Sequence, residues 1–157
     1  MNNLEDVISI LDSINDKEDL QYDYCKSYFK MSLPAYEKIL EEIIKRNIKR
    51  VIDVGSNLNQ YGYLFANADI EYIGIDIDTK RQGWNPIEAD MIKFISGDYL
   101  SMIERFKNET IISNMCIGYL IPLNVVKCKL FIRANFVMGF TKNKPIYKLE
   151  IIENLNL

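Results

Sequence analysis

Four short apolar runs in this chain end in residues able to hydrogen-bond a ligand. They are Val51-Ile52-Asp53-Val54-Gly55, Tyr72-Ile73-Gly74-Ile75-Asp76, Phe94-Ile95-Ser96-Gly97-Asp98 and Ile111-Ile112-Ser113-Asn114. A carboxylate at such an end accepts bonds from hydroxyl and amino groups, and an asparagine can both donate and accept. Gly55 permits a sharp turn, and a helix starting after it would aim free N–H groups at an anionic ligand group. Asp76 stands 21 positions beyond Gly55, where doubly wound sheets place an acid on ribose hydroxyls. Together these features point to a nucleoside-containing ligand. The loop Gly55-Ser56-Asn57-Leu58-Asn59-Gln60-Tyr61-Gly62 lacks the closely spaced glycines of a pyrophosphate cradle, and no Gly-Lys-Ser/Thr phosphate loop occurs.

Composition removes other chemistries. The 157 residues contain no histidine, which excludes Ser-His-Asp and Cys-His catalysis, His-ligated metal and an imidazole pH switch. Cys25, Cys116 and Cys128 are scattered, without CxxC spacing, and read as buried free thiols. Net charge is −3, from 19 Lys+Arg against 22 Asp+Glu, so a global positive potential for nucleic acid is lacking. No apolar run reaches the ~20 residues of a membrane span, and the N-terminus lacks a signal-peptide profile, so a cytoplasmic chain is expected.

The elements that must position these residues are legible from periodicity. Leu4, Val7, Ile8, Ile10, Leu11 and Ile14 share one helical face. After the aromatic stretch holding Tyr22, Tyr24, Tyr28 and Phe29, Ser32 and Pro34 are placed to start a third helix running to Asn47. Short β-branched runs then alternate with helix-length segments. Strands are expected at residues 50–54, 71–76, 93–98, 110–114 and 129–135, with helices at 59–67 and 99–107. This is the pattern of an α/β, three-layer, doubly wound, mostly parallel sheet. Thr141 to Pro145 reads as the turn of an antiparallel hairpin closing the sheet edge. One domain is expected over 1–157, a helical N-terminal extension (1–48) packing on a Rossmann-like core (49–157).

As an ordered set, these strand ends resemble the motifs of class I S-adenosylmethionine-dependent methyltransferases, over roughly residues 34 to 135. Val51 to Asn57 is similar to the family's first motif, a strand and glycine-led loop against the methionine part of the cofactor. Tyr72 to Asp78 is similar to the second, whose acid holds the ribose, Ser96 to Tyr99 to the third, whose acid meets the adenine amino group, and Ile111 to Met115 to the fourth, facing the transferred methyl. The resemblance implies S-adenosylmethionine as cofactor, with Asp53, Gly55, Ser56, Asn57, Asp76, Ile77, Asp98, Tyr99 and Asn114 contacting it. Asn114 and Tyr24 are the candidates to act on the acceptor, and no metal is implied. Because the loop keeps only its first glycine, the cofactor's carboxylate is expected on the Ser56 or Asn57 side chain and the helix N-terminus. Such a cofactor carries its own leaving group, so chemistry without histidine is compatible with it.

Each residue also has a plainer reading. Gly55 serves a strand-to-helix turn, Asp53 accepts loop hydrogen bonds, and Asp98 and Asn114 each cap a helix directly after their strand. Tyr22, Tyr24 and Tyr28 form either an acceptor-pocket lid or core packing, and Trp84 either a lid or a partner contact. Lys45, Arg46, Lys49 and Arg50 are a solvated helix end. The acceptor, small molecule or protein, is not specified by any motif. The small size, acidic balance and eroded glycine loop also suit a catalytically inactive relative that binds a protein partner, such as a toxin-neutralising immunity protein. Nucleotide binding without methyl transfer is a third reading, and an exposed last strand allows a homodimer.

Overall fold

The computed structural model describes residues 4–13, 20–77, 85–114, 116–118, 120–141 and 144–157. Trp84 lies outside the described residues, as do the side chains of Tyr22, Tyr24 and Tyr28. Helices α1 (Leu4–Ser13) and α2 (Leu20–Lys45) precede β1 (Arg50–Val54), α3 (Gly62–Ala66), β2 (Glu71–Asp76) and β3 (Ile92–Ser96). A 3₁₀ turn at Tyr99–Met102 leads into α4 (Ile103–Phe106), then β4 (Thr110–Ser113), β5 (Cys128–Thr141) and β6 (Lys144–Leu155).

The six strands form one sheet in the order β3-β2-β1-β4-β5-β6. Pairings β1–β2, β1–β4, β2–β3 and β4–β5 are parallel, and β5–β6 is an antiparallel hairpin at the edge. This is the α/β doubly wound arrangement expected, with the order reversing at β1, between β2 and β4. Alternation along the strands divides the core in two. Val51, Tyr72, Ile92, Ile112, Ile132 and Ala134 pack with Val7, Leu11, Tyr36, Ile39, Ile43 and Phe65 from α1 to α3. Ile52, Val54, Ile75, Ile111 and Phe131 pack on the other face with Tyr99, Phe106 and Val126.

Some expected elements are corrected. Pro34 does not open a helix but lies inside α2, which runs unbroken through it. A proline there cannot donate to the Lys30 carbonyl one turn back, and the carbonyls on either side of Lys30 take donors from the core. Tyr61 Oη donates to the Phe29 carbonyl at 3.0 Å and Tyr147 Oη to the Met31 carbonyl at 2.9 Å. The helix expected at 59–67 shrinks to Gly62–Ala66, because Asn57 and Asn59 adopt left-handed conformations (φ 52 and 60°) within successive turns. The segment 99–107 splits into a 3₁₀ turn and a single α turn. The fifth strand is twice its expected length because it pairs with β6 along most of its course.

Candidate functional site

A crevice of about 730 Å³ opens at the carboxyl ends of β1 to β4, at the switch point where open α/β sheets bind ligands and within the size range of small-molecule sites. Gly55, Asn57, Asp76, Ile77, Asp98, Tyr99 and Asn114 all line it. The structure therefore brings together seven of the residues singled out from the sequence. Asp53 and Ser56 do not line it, and Tyr24 falls outside the described side chains. Cys116, Leu100, Leu120 and Ile121 also line it; these carry no sequence signal beyond being apolar residues next to strand ends.

Asp76 ends β2, and its Oδ2 accepts the Asn57 N–H at 2.8 Å. Asp98 is exposed and caps the 3₁₀ turn, its Oδ1 accepting the Leu100 N–H at 2.9 Å. Capping leaves further lone pairs on the exposed Asp98 carboxylate for ligand donors. Around them stand apolar side chains with much surface in solvent: Ile77 is 71 % exposed, Leu120 81 % and Leu100 44 %. On the crevice wall, the buried Asn114 amide nitrogen and oxygen have no hydrogen-bond partner among the described residues; the Tyr99 hydroxyl, likewise unpartnered, is buried in the core with Cys128. A buried polar atom left unsatisfied costs roughly 1–3 kcal/mol, so the Asn114 amide favours a polar guest. Burial of the Tyr99 phenol raises its pKa well above the usual value.

Asp53 occupies a different environment. It shares strand parity with Val51, which places it under α2 rather than in the crevice. Fully buried, its Oδ2 accepts the Tyr36 hydroxyl at 2.8 Å and the Tyr72 hydroxyl at 2.5 Å. Loss of solvent, opposed by those two bonds, pushes its carboxyl from 3.8 to about 7. Burial first, and the Asp53 charge second, raise Tyr36 and Tyr72 well above the usual phenol range, so both remain donors. Tyr36 also stacks on Tyr61, ring centres 3.8 Å apart. The Tyr-Asp-Tyr cluster clamps α2 to β1 and β2.

The loop after β1 is closed by its own hydrogen bonds. The Gly55 and Ser56 N–H groups donate to the Ile75 carbonyl (2.9 and 3.3 Å), Asn57 to Asp76, Leu58 to Gln60 Oε1 (3.0 Å), and Asn59 to the Ser56 carbonyl (3.0 Å). Ser56 and Asn59 turn down onto β2: a Cβ on Gly74 would sit 2.4 Å from Ser56 Oγ and 1.7 Å from Asn59 Oδ1. Asn59 Nδ2 further binds the Ile87 and Lys93 carbonyls at 3.1 and 2.9 Å. Gly55, at φ +81°, is required on two counts, since a Cβ there would lie 2.4 Å from Cys116 Cβ. Cys116, raised to about 11 chiefly by burial, is packed as a thiol.

An S-adenosyl cofactor meets these residues unequally. Its adenosine half fits: acids at the ends of β2 and β3, apolar side chains for the faces of a base, and the unsatisfied Asn114 amide on the wall. Its carboxylate does not fit the loop after β1. The helix N-terminus expected there is absent and the Ser56 hydroxyl is buried against Gly74, so of the groups expected to hold it Asn57 alone lines the crevice. Among the described residues, no cluster of metal-binding side chains occurs, and no helix is long and apolar enough to cross a membrane.

No protein-family model matches the chain, and no curated protein matches it. Among solved structures, a candidate caffeoyl-CoA O-methyltransferase from Staphylococcus aureus aligns at 14 % identity and a TM-score of 0.44, covering 82 % of this chain and 71 % of its own. A likeness at that level leaves the fold to be read from strand order and pairing.

Proposed function

We propose that the protein binds an adenosine-containing ligand of the S-adenosyl class and acts as an S-adenosylmethionine-dependent methyltransferase. The observation that carries this reading is the pair of acids Asp76 and Asp98 at neighbouring strand ends, facing one apolar-walled crevice at the switch point. Asp76 accepts the ribose hydroxyls and Asp98 the adenine amino group, while Ile77, Tyr99 and Leu100 enclose the base. S-adenosylmethionine, when bound, supplies a methyl group already activated on a sulfonium. The chain's own part is to orient the acceptor, exclude water and satisfy developing polarity through Asn114. No histidine is needed for that role.

Calorimetric titration with S-adenosylmethionine and S-adenosylhomocysteine tests the reading. Saturable heat at micromolar to millimolar ligand is expected, and none at millimolar concentrations rejects it. A methyl-transfer assay against pooled small-molecule and protein acceptors then separates an enzyme from a binding protein.

A further inference from the structure

Resting on the adenosine reading of the crevice, we infer that this site recognises a nucleoside whose 5′ tail carries no anionic group held by the loop. The ligand class is an uncharged or cationic 5′-thioadenosine compound rather than a nucleotide or an amino-acid conjugate bound through its carboxylate.

Hydrogen-bond accounting across the loop supports this. An anion cradle at the end of β1 needs backbone N–H groups or a cation left free to meet it. The five consecutive N–H groups from Gly55 to Asn59 are already donated, to Ile75, Ile75, Asp76, Gln60 and Ser56. A ligand anion would have to displace bonds that fix the loop, and would gain no net hydrogen bond. Ser56 Oγ is turned onto Gly74, and Cys116 covers the position above Gly55 where an anion would otherwise approach the backbone. Charge acts in the same direction. Among the described lining residues there is no lysine or arginine, whereas two carboxylates, Asp76 and Asp98, are present. A phosphate or carboxylate tail therefore meets no cationic side chain among the described lining residues, and the exposed Asp98 carboxylate opposes it.

Calorimetry on the intact protein with four probes tests the inference: adenosine, 5′-methylthioadenosine, S-adenosylhomocysteine and adenosine 5′-monophosphate. A carboxylate held by charge-assisted bonds would tighten binding tenfold or more. S-adenosylhomocysteine is therefore expected within fivefold of 5′-methylthioadenosine, and the monophosphate at least fivefold weaker than adenosine. If S-adenosylhomocysteine binds more than fivefold tighter than 5′-methylthioadenosine, or the monophosphate comes within fivefold of adenosine or exceeds it, the inference is overturned while the adenosine reading stands. Failure of all four probes to bind at millimolar concentration overturns both.

Discussion

Replacing Asp53 with asparagine isolates the energetic consequence of burying one carboxylate under α2. Loss of solvent outweighs the Tyr72 and Tyr36 bonds, so the folded-state carboxyl lies at about 7 against 3.8 when solvated. A raised folded value means the folded chain holds this proton more tightly than the unfolded chain does. The associated stability is fully present below about pH 4 and is lost as pH rises through about 7. Three pK units at 1.36 kcal/mol each make the change about 4 kcal/mol, a large share of a typical domain's stability. Other carboxylates act in the opposite sense: Glu42, Glu71 and Glu104 are held below the usual range, chiefly by Arg46, Lys93 and Lys127 respectively, and their contribution is lost on acidification. These pairs are the same in both proteins and cancel in the comparison. An asparagine keeps one oxygen to accept the two tyrosine hydroxyls and adds only a pH-independent cost. Urea denaturation followed by circular dichroism from pH 4 to 8 is therefore expected to show the wild type losing about 4 kcal/mol relative to Asp53→Asn. A difference that stays constant with pH refutes the argument.

Tyr36→Phe removes one donor from the same carboxylate and should cost roughly 1–3 kcal/mol, more at pH 8 than at pH 5; equal losses at both would place the hydroxyl outside the titrating cluster. Asp76→Asn retains an oxygen for the Asn57 N–H but loses the charge proposed to hold ribose, so calorimetry should show adenosine binding about ten- to a hundredfold weaker. A folded variant with unchanged affinity removes Asp76 from the site. Gly55→Ala imposes left-handed strain of roughly 1–2 kcal/mol and overpacking of roughly 1–3 kcal/mol against Cys116. Chemical denaturation should register about 2–5 kcal/mol, and a loss below 1 kcal/mol would contradict the close approach of Gly55 and Cys116.

The strands were legible because a sheet covered on both faces demands nearly continuous apolar runs, and β1 and β2 have the bounds their β-branched residues suggest. Residues at strand ends and in the turns just after them were legible for the same reason, and seven of them do converge on one crevice. Pro34 misled because local rules do not see tertiary anchoring: the turn before it is pinned to the core by hydroxyls from Tyr61 and Tyr147 on the Phe29 and Met31 carbonyls, which holds α2 continuous although the Lys30 carbonyl loses its helical donor. The helix expected from residue 59 failed for a related reason: Asn57 and Asn59 tolerate left-handed backbone, and Asn59 is used to tie the loop to Ile87 and β3 rather than to start a helix.

Two features of the site were present in the sequence in a form that motif comparison passes over. Asp53 differs in parity from Ile52 and Val54, so period-two alternation alone places its carboxylate on the face of Val51, beneath the helices. Gly74 sits in the middle of β2, where an isolated glycine marks the close approach of other chain atoms; Ser56 and Asn59 are the residues that approach it. Taken together, these two placements change the chemistry of the first strand's end. Of the two side chains expected to meet the ligand's carboxylate, Ser56 is built into the wall behind the crevice, while Asn57 lines it. The acid-bearing ends of β2 and β3 remain on the crevice, and the unsatisfied amide of Asn114 lies on the far side of Gly55, at the end of β4. The loop's hydrogen bonds, more than its glycine count, therefore set which backbone donors at the end of β1 a ligand could meet.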